Sequence, residues 1–266
     1  MEASSTDAGF GLDPDFTEEE IQRYSRHILL PEIGGTGQAA LRRARVLIVG
    51  AGGLGSPLLL YLAAAGIGTI GIVDDDAVDL SNLQRQIAHG TGSLGMAKTA
   101  SAAATARAIN PGVELVEHRL RLTDREAAAL IPDYDIVCDG SDNFATRYLV
   151  ADGCVRARRV LVSAAVLRFE GQLSVFKPHC DPQGPCYRCL YPEAPPPGLA
   201  PSCAEAGVLG AVTGVMGTLQ ATETIKEILG LGESLSGRLL LWDALATRFR
   251  IIRVPRDPRC PVCAAS

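Results

Sequence analysis

The 266-residue chain predicts an α/β fold, a parallel sheet with helices on both faces, extended by antiparallel strands towards the C-terminus. Three observations predict it. Apolar strand-like runs alternate with helix-patterned segments over residues 45–164, in the order of successive βαβ units. The first such strand breaks into Gly50-Ala51-Gly52-Gly53-Leu54-Gly55, whose G-x-G-x-x-G spacing is that of a Rossmann-like unit. Two C-x-x-C pairs, Cys186/Cys189 and Cys260/Cys263, have the spacing of a four-thiolate zinc site, which would pin a long loop to the far end of the chain.

In chain order, Thr17-Glu18-Glu19-Glu20 is a capping-box pattern, so a helix opens there and runs towards Leu30, carrying Arg23, Arg26 and His27. A second short helix near 37–43 leads into strand 45–50. Helix 55–65 follows the glycine turn, with Pro57 tolerated in its first turn, and 69–74 is the second strand. The stretch from Asp75 to Gln86 is too rich in hydrogen-bonding groups for a simple connection. An alanine-rich helix over about 97–109 stops at Asn110-Pro111, because the residue before proline disfavours helix. Residues 113–117 read as a strand and 124–130 as a helix. A strand then ends at Asp139-Gly140, and Ser141-Asp142-Asn143 caps the helix after it. Residues 160–164 complete the parallel set. Beyond them 171–176 alternates like an antiparallel strand, 177–203 is a Pro/Cys-rich loop, 208–229 is mostly helix, and 238–243 with 249–254 forms a closing hairpin.

Composition bounds the function. With 47% hydrophobic residues and 28 glycines the chain can bury a sizeable core. A net charge of −5, with no basic block, excludes a nucleic-acid binder. Residues 46–73 carry no charge, but the glycines and Pro57 within them fit a buried strand-turn-helix-strand unit and not a membrane span. Residues 1–16, with Glu2, Asp7 and Asp13 and no apolar core, read as a disordered tail and not a secretory signal. Eight cysteines with paired spacing point to a metal site in a cytoplasmic protein and not to disulfides. Four thiolates leave no open coordination position, so the zinc is structural.

The glycine turn can approach a phosphate closely, and the helix that follows it aims unpaired amides at that anion. Asp74 lies 19 residues beyond Gly55, where it can accept hydrogen bonds from ribose hydroxyls. Arg85, Lys98 and Asp142 fall near the carboxyl ends of strands, where open α/β sheets bind ligands. Two cations suit a triphosphate, and Asp142 suits a Mg²⁺ ion. Each also has an ordinary reading: a surface ion pair for Arg85, a solvated helix-end lysine for Lys98, a helix cap for Asp142.

Taken together, Arg23-x-x-Arg26, Gly50-x-Gly52-Gly53-x-Gly55, Asp74-x-Asp76, Ser81-Asn82-Leu83-Gln84-Arg85-Gln86, Gly95-x-x-Lys98, Ser141-Asp142-Asn143 and the two C-x-x-C pairs stand in the order and spacing of the ubiquitin-activating-like MoeB/ThiF family, which the chain resembles over about residues 17–263. The resemblance implies a single adenylation domain over 17–266, with a nucleotide-binding core at 45–165 and a carrier-binding, zinc-bearing part at 166–266. It implies adenylation, with ATP and Mg²⁺, of the C-terminal Gly-Gly carboxylate of a small ubiquitin-like sulfur carrier of the MoaD/ThiS kind, for molybdenum cofactor, thiamine or thiolated-tRNA synthesis. Carried over by motif, the glycines at 50, 52, 53 and 55, Asp74, Asp76, Ser81, Asn82, Leu83, Gln84, Arg85 and Lys98 contact ATP, and Asp142 holds the metal ion. Arg26 reaches the partner's site in a homodimer. Cys203 aligns with a cysteine that some members acylate or persulfidate. Arg147 is a candidate for the carrier tail, or else a helix-internal ion pair. Longer members append a rhodanese-like domain, whereas this sequence runs three residues past Cys263, so sulfur is expected from a separate donor.

Two other classes share part of the pattern. A nucleotide-binding oxidoreductase uses the glycine turn and Asp74 but leaves Arg26, Arg85, Lys98 and the cysteine pairs without roles. A non-catalytic carrier-binding scaffold has no need of Arg26, Arg85, Lys98 and Asp142 together.

Overall fold

The computed structural model describes residues 16–181, 183–196 and 206–264. The expectations for the N-terminal tail up to residue 15 and for Cys203 lie outside the described residues. The elements are α1 (Glu18–Ile28), α2 (Gly34–Arg43), β1 (Arg45–Val49), α3 (Gly55–Ala65), β2 (Thr69–Val73), α4 (Lys98–Ile109), β3 (Glu114–His118), α5 (Asp124–Leu130), β4 (Ile136–Asp139) and α6 (Phe144–Ala157). They continue with β5 (Val160–Leu167), β6 (Glu170–Phe176), the one-turn α7 (Tyr187–Leu190), α8 (Gly210–Leu229), β7 (Arg238–Asp243) and β8 (Arg248–Arg253).

The eight strands among the described residues form one sheet in the order β3-β2-β1-β4-β5-β6-β7-β8. The first five are parallel and the last three antiparallel, as the sequence predicts. Strand β5 runs to Leu167, three residues beyond its sequence-predicted end at 164, because β6 returns beside it: Ala165 pairs with Gln172, Val166 with Gly171 and Leu167 with Glu170. A pattern read along one strand does not contain that pairing.

Alternation along β1 divides the core. Val46 and Ile48 face the layer of α3, α4 and α8, where they join Leu58, Leu62, Ile70 and Met216. Leu47 and Val49 face the α5–α6 layer, with Ile131, Tyr134 and Leu161. Both faces are therefore covered, which is why the strand carries no polar residue after Arg45.

At the amino-terminal side α1 opens with the predicted capping box: Glu20 N donates to Thr17 Oγ1 at 3.2 Å and Thr17 N to Glu20 Oε2 at 2.9 Å. The helix is anchored at the ends of α3 and α4. Asn110 Nδ2 donates to the Tyr24 hydroxyl and to Ala63 O, both at 2.8 Å, and Arg23 reaches Ile109 O at 3.0 Å. Those helix ends lie by the amino ends of the strands. No helix among the described residues is long and apolar enough to cross a membrane.

Candidate functional site

The strand order reverses at β1, which lies between β2 and β4, so the chain leaves β1 and β4 in opposite directions and opens a crevice at their carboxyl ends. A cavity of about 280 Å³ occupies that crevice. The glycine turn forms its floor. Gly50 has φ +95°, a left-handed conformation a side chain strains against, and a Cβ on Gly55 would stand 1.8 Å from Gly50 O. The tight turn and the close helix approach thus use different glycines. On α8, Thr213 lies over Gly53, while Gln220 Nε2 donates to Asp139 O and Val162 O, both at 2.9 Å. This long helix is thereby fixed across β4 and β5.

The cavity gathers many of the residues the sequence singles out: Gly50, Gly52, Gly53, Asp74, Asp76, Arg85, Lys98, Asp142 and Arg147. Lys98 begins α4 and is buried, with Nζ 2.7 Å from Asp76 Oδ2. Arg85 donates to Ser81 O at 3.1 Å. Asp74 accepts Ala51 N on Oδ2 at 2.8 Å and Asp76 N on Oδ1 at 2.9 Å, so it braces the glycine turn with lone pairs to spare. Burial raises its pKa above the usual carboxylate value, against the pull of Lys98 and these two bonds. Beneath the turn His89 bridges Ala51 O at 2.9 Å and Ser101 Oγ at 3.0 Å, and desolvation lowers its pKa.

Other predicted residues stand elsewhere. Ser81, Asn82, Leu83 and Gln84 do not line the cavity. Ser81 and Asn82 bond to Asp79 in an exposed turn, and the Gln84 backbone lies against Gly210. Gly55 packs behind the turn and does not line the cavity. Arg26 is exposed on α1, outside the cavity of its own chain. The helix cap is made by Asn143, whose Oδ1 accepts from Thr146 N at 2.9 Å, and not by Asp142.

Gln86, though part of the Ser81–Gln86 motif, was assigned no contact but lines the cavity, and other lining residues escaped the sequence reading: the Leu120-Arg121-Leu122 wall after β3, Thr146, Val166, Val208 and Thr213. So did Asp139 below the floor. It is buried, accepts Ser141 N at 3.0 Å and Ser141 Oγ at 2.7 Å, and its pKa is raised by burial against the attraction of Arg147. Its signal was an aspartate closing an apolar strand before glycine, much as Asp74 stands just after the apolar run of β2. Arg147, itself buried, donates to Ser141 O from Nη2 at 3.0 Å and from Nε at 3.3 Å. This is a backbone tie and not the helix-internal ion pair.

The four predicted cysteines converge. Their sulfurs lie within 4.8 Å of one another, with Cys186 to Cys260 and Cys189 to Cys263 at 3.5 Å and Cys186 to Cys189 at 3.9 Å. A disulfide needs about 2.05 Å. A tetrahedron with Zn–S bonds of about 2.3 Å has edges of about 3.8 Å, which these distances fit.

The description "ThiF family" belongs to a sequence model that matches residues 24–262. The chain is 53% identical over 246 residues to the Mycobacterium tuberculosis probable adenylyltransferase/sulfurtransferase MoeZ, covering 92% of this chain and 63% of that protein. It is 56% identical over 249 residues to the Bos taurus adenylyltransferase and sulfurtransferase MOCS3, of which it spans 54%. The Thermus thermophilus sulfur carrier protein adenylyltransferase is 49% identical over 251 residues, covering 93% of this chain and 92% of that one. Among solved structures, E. coli MccB with ATP has the same fold, with a TM-score of 0.77 at 24% identity over 91% of this chain and 74% of that one.

Proposed function

The chain belongs to the ThiF family, and on that premise we propose that it is an ATP-dependent adenylyltransferase acting on the C-terminal Gly-Gly carboxylate of a ubiquitin-like sulfur carrier. The observation that carries this reading is the convergence of Arg85, Lys98 and the Gly50–Gly53 turn on one cavity at the switch point of the sheet. The 49% identity to the Thermus thermophilus enzyme, over 93% of this chain and 92% of that one, supports the activity.

In this reading ATP lies across the crevice, its phosphates over the glycine turn and its ribose towards Asp74. A carboxylate oxygen of the carrier's last glycine attacks the α-phosphorus. The bond from that phosphorus to the bridging oxygen breaks, and acyl-adenylate and pyrophosphate result. The chain supplies alignment and charge, not a nucleophile. Lys98 and Arg85 stabilise the negative charge that builds on the phosphoryl oxygens, in a site where Lys98 is shielded from water. Asp142 would hold Mg²⁺, which when bound neutralises phosphate charge. The cysteine cluster would hold a structural Zn²⁺.

Arg26 acts in trans within a homodimer. Its exposure, and the anchoring of α1 at the amino ends of the strands, away from the cavity of its own chain, support that assignment. Arg147 meets the carrier tail. The pathway served is that of the carrier recognised.

The test is to incubate the protein with MgATP and candidate carriers and to weigh the products. A carrier heavier by one adenylate, formed with stoichiometric pyrophosphate, is the expected result. ATP turnover that ignores every Gly-Gly carrier would refute it. Binding of a nicotinamide nucleotide in place of MgATP would favour the oxidoreductase.

A further inference from the structure

Both residues between Cys186 and Cys189 are engaged with α6. Arg188 makes a bidentate pair with Asp152, Nε to Oδ1 and Nη2 to Oδ2 each at 2.8 Å, and its guanidinium lies 4.7 Å from the Tyr148 ring centroid. Tyr187 is buried among Tyr148, Phe176 and Tyr191, with centroids 5.3, 5.6 and 5.1 Å away. The Tyr148 hydroxyl donates to Tyr191 O at 3.1 Å. Tyr148 and Asp152 are four apart on α6 and so share the helix face that meets the knuckle. One residue before Tyr148 stands Arg147, whose side chain lines both the cavity and a smaller cleft bordered by Tyr187, Tyr191 and Gln172. The nucleotide-side groups, Asp74 and Lys98, follow from β2 and α4, across β1 from α6.

We propose that the Cys186–Cys189 knuckle, once its two sulfurs are tied with those of Cys260 and Cys263 by a metal ion, is a positioning device for the acceptor flank of the cavity: through Arg188–Asp152 and Tyr187–Tyr148 it fixes the first turns of α6, and Arg147 with them. The metal cluster thus sets how well the acceptor carboxylate is received, and leaves alone the nucleotide contacts of the glycine turn, Asp74 and Lys98, none of which α6 carries. Arg188, Asp152 and Tyr187 are positioning residues and touch no reacting atom. The acceptor half of this inference rests on the adenylyltransferase reading; the mechanical half does not.

The experiment compares wild type with Arg188→Ala, Asp152→Asn and the zinc-stripped protein, using Arg156→Ala as a control, since Arg156, on the exposed side of α6, pairs with Asp124 of α5. Hydrogen exchange is expected to speed up at the α6 amides around 146–148 in Arg188→Ala, Asp152→Asn and the zinc-stripped protein, and to stay at the wild-type rate in α4 and in the control. Asp152→Asn is a near-isosteric change and guards against simple misfolding of Arg188→Ala. Both variants are expected to retain one zinc per chain and wild-type affinity for MgATP. With the carrier that wild type adenylates, KM for the carrier rises about tenfold while kcat changes little, the size expected for a lost charge-assisted pair. Unchanged exchange at 146–148 would overturn the mechanical link. Faster exchange with an unchanged carrier KM, or with ATP affinity falling in step, would overturn the acceptor assignment. A wild-type protein that adenylates no carrier would instead defeat the functional reading, with the exchange result still deciding the link.

Discussion

Gly52→Ala separates the phosphate-binding role of the glycine turn from its structural role. A Cβ at Gly52 meets no protein atom nearer than Gln86 Nε2 at 3.7 Å, and φ there lies outside the left-handed region. The folded protein therefore accepts the methyl, and the stiffer unfolded chain should raise stability by about 0.4–1 kcal/mol. For a domain of this size that is a Tm increase of about 1–4 °C. The methyl does stand beside the cavity that Gly52 lines. Displacing a phosphate oxygen by about 1 Å takes an N–H···O bond of about 2.9 Å beyond useful range. Loss of one hydrogen bond to a charged group costs about 1.5–3 kcal/mol, or roughly 10–100-fold in ATP affinity. Calorimetric titration of MgATP against a melting curve of the same sample reads both quantities. Gly55→Ala is the contrast, because its Cβ falls 1.8 Å from Gly50 O and must move backbone, so both the melting temperature and ATP affinity drop. If Gly52→Ala melted higher and still bound MgATP within twofold of wild type, the phosphates would not lie on this turn and the mechanism would lose its anchor.

Other outcomes follow from the same geometry. Arg26→Ala and Lys98→Ala should each abolish most carrier-dependent pyrophosphate release, Arg26→Ala without loss of ATP binding. Mixing the two should restore part of the rate, since one cavity of a mixed dimer carries both wild-type residues; no recovery after verified subunit exchange would remove Arg26 from the partner's site. Cys203→Ala should leave adenylate formation at the wild-type rate, because attack on the α-phosphorus needs no enzyme thiol; a lost pyrophosphate burst would contradict that chemistry. Asp139→Asn keeps an acceptor for Ser141 but cannot ionise. Burial raises the native pKa of Asp139 above its ordinary 3.8, so between those two values the native state holds the proton and the unfolded state does not. Wild-type stability should therefore fall, relative to Asp139→Asn, as pH rises from about 3.8 through the native value. Parallel pH profiles in denaturant melts would show that Asp139 carries no such penalty.

Much of this was legible in the residues because local signals and tertiary structure agree. The capping box at Thr17, the strand-turn-helix unit around Gly50 and the helix stop before Pro111 each act within a few residues, and each stands where the pattern puts it. The cysteine pairs were legible for a different reason: their spacing encodes a geometry, and the fold brings sulfurs 74 residues apart to 3.5 Å. What could not be read was whatever depends on a neighbour in space. The last three residues of β5 are extended because β6 lies beside them. Thr213 reaches the cavity because Gln220, two turns further along α8, grips two strand carbonyls. The Leu120–Leu122 wall has no motif, only a position after β3.

Asp74 shows how the two kinds of information combine. Its place at a strand end, 19 residues past Gly55, suggests a ribose ligand; its bonds to Ala51 N and Asp76 N show that it also holds the turn and the start of the Asp76–Lys98 pair. One carboxylate therefore sets the floor of the cavity and the reach of its principal cation. Lys98 is paired at 2.7 Å with the exposed carboxylate of Asp76, a partner that water can replace, so the pair can open to an incoming anion. An incoming triphosphate, with several negative oxygens, competes well for that ammonium, whereas the single bridging pyrophosphate of a dinucleotide offers less. The Asp76–Lys98 pairing is thus a feature that favours a triphosphate over a dinucleotide at this end of the cavity.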